Sequence, residues 1–392
     1  MKKKVTIGMC GSAGPLDEYN PFRIMREEIA AEILHILNKG PLTISGISKV
    51  ISRDEASIEM VIKSLLKINA LRKENGKCRV NFAIFSKEDQ RIIFNIGKKY
   101  GKQLASELLN HRKELSNSAK EVSCANFITK DKILFALVGC FGLDWHSLEE
   151  LEKMNFLRLH KKQPGKRDYL LLGRERSGIS IRRLYWGSHS ESVGKYTFTS
   201  FGDDAGPRSC LPDTLWQASG AVSEHIKGDR GLREAFANAL SLYGKNLLRD
   251  CGQALELLAR GDVVKNMKFQ EFILSFLERL EYISRKGKHY NIRIPVFLPK
   301  DEEIIRKIEK RTSKVACDFV AQKYPEMKDA LSKTRPILNK VPIDEVFNDV
   351  WHKIFAYCNM FLAEEGFMYD PPETPYHSRY LPWVTVTEEN KG

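Results

Sequence analysis

Apolar residues in the first quarter of the chain recur at helical spacing in three successive blocks, then switch to the alternation of strands. Ile24, Ile29, Ile33, Leu34 and Leu37 form one stripe between Phe22 and Asn38, ended by Gly40-Pro41. Thr43 is placed to cap a second, short helix through Val50, because its hydroxyl can accept from a free backbone N–H in the first turn. Ser52 and Glu55 have the spacing of a capping box for a third helix, whose core face is Ile58, Ile62 and Leu65 with Val61 and Leu66 alongside. Beyond it, Ala70 to Lys73 and Cys78 to Phe82 read as strands joined by Glu74-Asn75-Gly76-Lys77. Asn-Gly is a strong hairpin signal, since both residues tolerate positive φ.

The same reading carries on to the C-terminus. Residues 87 to 122 predict one long amphipathic helix through Ile92, Ile93, Ile96, Tyr100, Leu104 and Leu108, with Ser86 and Asp89 as its cap. Strands are expected at Tyr169–Leu172, Ile179–Trp186 and Tyr196–Phe201, and helices over most of 210 to 286, including Leu232 to Leu248 and Phe269 to Ile283. A short strand at Ile292–Leu298 precedes further helices to about Met368, and the Pro- and aromatic-rich stretch from Tyr369 is expected to lie extended. Glu152-Lys-Met-Asn-Phe-Leu-Arg158 echoes Leu66-Lys-Ile-Asn-Ala-Leu-Arg72, so 126 to 173 is either a second, degenerate copy of the first unit or a chance helix and hairpin. The fold class is mainly α with small antiparallel β-sheets. Its expected parts are a tail (1–21), a helix-hairpin domain (22–86), a linking helix (87–125) and a C-terminal domain (126–392), α/β to 205 and mostly helical after it.

Three helices followed by a basic hairpin is the outline of a winged helix-turn-helix. The start and outer face of the third helix, with Ser52, Arg53, Ser57, Met60 and Lys63, is where a recognition helix presents side chains to the major groove. Arg72, Lys73, Lys77 and Arg79 make the hairpin a basic wing for backbone phosphates. On the order of elements, the helix-three pattern and the passage Leu65-Leu-Lys-Ile-Asn-Ala-Leu71 into the wing, residues 24 to 85 resemble a winged-helix transcription regulator of the broad ArsR/MarR-like type. The resemblance implies double-stranded DNA as partner, and a helix after the wing that pairs subunits into a homodimer; packing on its own chain is the alternative for that helix. The cysteine metal-sensor motif of some ArsR-like proteins is missing. Winged helices also serve as protein-docking modules, so fold alone does not assign the partner.

Charge agrees with DNA. The chain of 392 residues has a net charge of +13, and residues 1 to 125 hold 22 Lys and Arg against 14 Asp and Glu, while the remainder is close to balanced. Eight dispersed cysteines without a Cys-x-x-Cys pair argue against a zinc finger and for reduced thiols in a cytoplasmic protein. No apolar run reaches the roughly 20 residues of a membrane span, and Val5 to Met9 is too short for a signal-peptide core. Catalytic signatures are missing too: there is no Gly-x-Ser-x-Gly, His-Glu-x-x-His or Walker loop. Only Asp203-Asp204 and the pair His189 and Glu191 offer acid-base chemistry, and no metal or cofactor is expected. The large C-terminal part is therefore expected to sense an apolar or aromatic small molecule, with Tyr185, Trp186, Phe201, Trp216 and Trp383 as candidate pocket residues. The alternative is an enzyme of unknown reaction that uses the winged helix only for docking.

Overall fold

The computed structural model describes residues 4–25, 27–176, 179, 181–213, 246–264, 270–287 and 289–388. The strands among the described residues are β1 Val5–Ser12, β2 Leu71–Glu74, β3 Lys77–Val80, β4 Ala83–Phe85, β5 Lys162–Gln163, β6 Arg167–Glu175, β7 Gly187–Val193, β8 Tyr196–Gly202, β9 Ile283–Lys286, β10 His289–Ile292, β11 Val296–Phe297 and β12 Tyr380–Val386. The α-helices among the described residues are α1 Pro21–Ile24, α2 Glu28–Asn38, α3 Ile44–Ile51, α4 Glu55–Lys67, α5 Lys87–Asn110, α6 Arg112–Glu121, α7 Lys130–Leu134, α8 Ser147–Lys153, α9 Asn246–Arg260, α10 Gln270–Arg279, α11 Glu302–Leu331, α12 Arg335–Leu338 and α13 Ile343–Glu364. The class is α+β, as expected. The sheets are small and mostly antiparallel, though β4 joins β6 and β11 joins β12 in parallel.

The chain divides into two compact units, and neither is contiguous. The first is Met1–Tyr100, Leu148–Ser180 and Cys317–Ile354; the second is Gly101–Ser147, Ile181–Ala316 and Phe355–Gly392. A serial division into tail, head, linker and C-terminal domain therefore does not describe it. Periodicity reports local elements but not which distant segments share a core, and that is where the expectation failed.

In the first unit the expected tail is a strand. β1 pairs antiparallel with β6 along all eight residues, Val5 opposite Glu175 through Ser12 opposite Asp168, and β4 adds to the other side of β6. Val5, Tyr169 and Leu171 share one core with Ile33, Leu34, Ile58, Ile62 and Leu65 of the helices. The predicted helix 22–38 is broken into α1 and α2. The long helix after β4 begins as expected: Ser86 Oγ accepts from Asp89 N (3.1 Å) and Asp89 Oδ2 from Ser86 N (2.7 Å). It stops at Asn110, and α6 follows as a separate helix. Ile93, Ile96 and Tyr100 on α5 are buried, with the Tyr100 ring 6.3 Å from that of Phe319.

The second unit is built on the sheet β11-β12-β8-β7. The expected extended C-terminal stretch supplies β12, which lies between β11 and β8 and includes Pro382; β11 pairs only with Val384 and Thr385, so no partner on that side needs the N–H that proline lacks. The strand expected at Ile179–Trp186 lies further on, at β7. One face of the sheet packs on α9 and α10 through Phe198, Leu255, Leu277 and Val384. Residues Phe135–His146 form a π-helix buried through Asp144, a wide-turn form that otherwise occurs mostly as single turns. The Phe135 ring packs tilted against Phe201 (centroids 5.4 Å apart) and that of Phe141 against Trp383 (5.7 Å). A second copy of the helix-hairpin unit is therefore not formed at 126–173. The echo is a shared helix ending: Asn69 and Asn155 both adopt positive φ, with Ala70 N bonded to Leu65 O and Phe156 N to Leu151 O.

Candidate functional site

Helices α2, α3 and α4 form the first candidate site because each has one apolar face. Ile58, Val61, Ile62 and Leu65 of α4 are buried, and burial of four such side chains is worth about 6–12 kcal/mol before chain entropy is charged against it. Ser52 does not cap α4. It sits at φ 58 and closes α3, while Asp54 caps α4 by accepting from Ser57 N (2.8 Å) and Ser57 Oγ (2.7 Å). The carboxylate of an aspartate accepts both donors at once, which a serine at 52 cannot match from that conformation. The hairpin follows the sequence closely: Leu71 faces Val80 through Glu74 facing Lys77, and Asn75 and Gly76 have φ 49 and 73. Leu42, between α2 and α3, bridges Cys78 with bonds of 3.2 and 2.7 Å and adds a third strand segment to the hairpin.

Opposite the buried face, Ser52, Arg53, Lys63, Lys73 and Lys77 are exposed, and Met60 is 66% exposed. Asp54, Glu55 and Glu59 share this surface, with Glu59 3.3 Å from Lys63. The wing arginines differ from expectation. Glu74 takes Arg72 Nε at 2.9 Å and Arg79 Nε at 3.3 Å, and Arg72 also donates to Asn81 Oδ1 and Asn339 O, both at 3.1 Å. They brace the hairpin, and the cations left at its tip are Lys73 and Lys77.

In the second unit the aromatic pocket candidates do not line an opening. Tyr185, Phe201 and Trp383 are fully buried, and the Tyr185 hydroxyl donates to Asp370. Trp186 is half-buried beside them at the start of β7, and Trp216 lies outside the described residues, as do most of the helices expected at Leu232 to Leu248 and the start of that expected at Phe269. Asp203 is buried, its Oδ1 accepting from Arg379 N (3.0 Å) and Ala205 N (3.3 Å), so it shapes a loop; Asp204 N donates to Arg182 O (2.7 Å), and Arg182 Nε donates to Asp204 O (2.8 Å).

What the sheet does assemble is a polar cluster that spacing did not reveal. His189 on β7 pairs through Nδ1 with Asp213. Asp213 Oδ2 also accepts from Ser200 Oγ (2.7 Å) and Cys210 Sγ (3.0 Å), and Arg208 Nη1 donates to Ser200 Oγ (2.9 Å). Burial alone would raise the Asp213 pKa; the bond from His189 and the charge of Arg208 outweigh it and hold the group at about 2. The loop is fixed by two phenols, with Ser209 N donating to Tyr380 Oη (2.9 Å) and Leu211 N to Tyr282 Oη (3.0 Å). The register that places His189 opposite Ser200 is the missing signal, and only the run Arg208-Ser-Cys-Leu-Pro-Asp213 hints at it. On the other sheet face, Ser188 Oγ donates to the buried Asp144 Oδ2 (2.9 Å), whose pKa burial pushes up to about 7.

Among the described residues no helix is long and apolar enough to cross a membrane. Comparison with models of known families, with curated proteins and with solved structures finds no match to this chain.

Proposed function

We propose that the chain is a DNA-binding transcription regulator whose residues 28 to 85 act as a winged helix, with α4 in the major groove and the β2–β3 hairpin as wing. The observation that carries the reading is the two-sidedness of α4: Ile58, Val61, Ile62 and Leu65 are buried while Arg53, Met60 and Lys63 stand exposed beside a hairpin tip bearing Lys73 and Lys77. The order helix, strand segment, helix, helix, hairpin, with Leu42 bridging Cys78, supports it. With Asp54, Glu55 and Glu59 on the same surface, phosphate contacts fall to Lys63 and the wing lysines, and the carboxylates suit base edges such as the cytosine amino group. Two-fold operators call for a dimer, which a small-molecule effector would bias. Selection of bound duplexes from genomic fragments by the full-length protein tests this: recovery of a common inverted repeat supports it, and recovery of unrelated fragments rejects sequence-specific regulation.

A second reading, an enzyme that uses the helix-hairpin unit for docking, is favoured by one observation. A buried, ionised Asp213 on Nδ1 of a one-third-exposed His189 is the arrangement that orients an imidazole for general-base work. Activated carboxylic and phosphate esters, assayed with the protein and with His189→Ala, decide it: turnover that requires His189 supports the enzyme, and its absence removes the reading.

A further inference from the structure

The hairpin turn Gly194-Lys195, one face of α9 and the residues after β12 surround a solvent-open cleft in the second unit. Two adjoining parts of about 730 and 970 Å³ share Lys195, Glu256, Arg260, Thr387 and Glu388. That is the size range of small-molecule sites, yet the lining is polar, unlike the apolar pocket expected from the sequence. Its floor is built with some care. Gly252 on α9 lets the Tyr196 ring lie where a Cβ would come within 2.4 Å of it, and this brings Tyr196 Oη to 2.8 Å from Glu256 Oε2. Glu256, 7% exposed, also accepts from Lys195 Nζ (2.9 Å) and from Arg260 Nε and Nη2 (3.2 and 2.9 Å). Burial would raise its pKa, but these bonds from Lys195, Tyr196 and Arg260 outweigh burial and keep it ionised.

One carboxylate thus fixes two cations, leaving the trio with a surplus positive charge. Each cation retains N–H donors beyond those given to Glu256. Arg249, its Nε 3.6 Å from Asp250 Oδ1, stands on the wall of one part of the cleft and Lys300 on that of the other, with Gln253 and Asn126 as neutral donors, while Asp262 and Glu388 oppose them. Guanidinium forks and ammonium groups gathered around one opening match the oxygens of a phosphate, and a dianion gains more than a monoanion against the two opposing carboxylates.

We propose that this cleft binds a small phosphomonoester. The site stands on its own geometry, whether or not α4 meets DNA. Calorimetric titration of the full-length protein at low salt with ribose 5-phosphate, with ribose as the neutral control, tests it. The expected result is binding of the phosphate ester and not of ribose, weakened at least about tenfold in the double variant Arg249→Ala with Lys300→Ala. Those two side chains lie outside the Glu256 clamp, so the thermal midpoint without ligand should not change. No binding of ribose 5-phosphate at about 10 mM, weaker than ordinary ionic sites, overturns the proposal, as does equal binding by the double variant or by ribose.

Discussion

Asp349→Ala should unfold the first unit more readily than any surface change, by an amount the structure bounds. Asp349 is 3% exposed on α13, with Lys353 Nζ at 2.7 Å and Arg174 as its second partner, and Lys353 is itself 4% exposed. Burial alone would raise the Asp349 pKa, but the charges of Arg174 and Lys353 outweigh it and hold the carboxyl well below its usual range. Lys353 is drawn down to about 8, by burial first and then by Arg174, against the pull of Asp349. Removing one member of a buried pair leaves its partner uncompensated, at a cost of about 3–5 kcal/mol. Arg174, 32% exposed, can turn towards water, so Lys353 carries the loss. It escapes by releasing its proton. A lysine with a depressed folded pKa binds fewer protons than the unfolded chain, so stability rises with pH between the folded and unfolded values. In the natural protein that rise begins near pH 8; in the variant the folded pKa is lower still and the rise begins earlier. The deficit should therefore shrink by about 1.4 kcal/mol per unit as pH climbs towards 8, then level off. Urea unfolding at pH 6.5, 7.5 and 8.5 measures it, and Lys353→Met added to the variant should recover most of the loss. A deficit under about 1 kcal/mol at pH 7, or no recovery on removing the lysine, would refute the account of this cluster.

Other expectations follow from single contacts. Asp144 has a folded pKa raised by burial to about 7, so stability is lost as pH rises from about 4 to 7 and stays lost above it; Asp144→Asn, still an acceptor for Ser188, should gain up to about 4 kcal/mol above pH 7 and nothing near pH 4 in denaturant titrations. Gly252→Ala drives a methyl into the buried Tyr196 ring and should cost about 1–3 kcal/mol, read as a lower thermal midpoint. Glu74→Gln loosens Arg72 and Arg79, so duplex affinity should rise and its salt dependence steepen; an unchanged slope shows that the arginines do not reach phosphates.

Much of the helix-hairpin unit was legible because its signals are local. Thr43, Asn75-Gly76 and the stripe of α4 each dictate geometry within a few residues and occur as read, while the first stripe holds from Ile29 to Leu37 on α2 and loses Ile24 to the separate α1. Ser52 misled because two acceptors stood near the start of α4, and Asp54 holds both donors of Ser57. Beyond this unit the determinants are long-range. Nothing near Val5 announces β6 as its partner, some 170 residues away, and the glycines and lysines around it read as a tail. Tyr185, Phe201 and Trp383 are pocket-like in composition, yet Phe135 and Phe141 of the π-helix pack against them, and composition does not distinguish an aromatic core from an aromatic cavity. His189 was visible as a candidate, but its true partner Asp213 depends on strand register and a loop crossing.

The central claim, that α4 and the wing meet the phosphate backbone of DNA, is tested most directly by the affinity of the full-length protein for a duplex as salt is varied, with and without Lys73→Ala and Lys77→Ala. If each lysine neutralises one phosphate, the slope of log affinity against log salt falls in magnitude by about 1.8 in the double variant, and affinity at about 0.1 M salt drops about 60-fold. An affinity insensitive to salt, or a slope that the two substitutions leave unchanged, contradicts it.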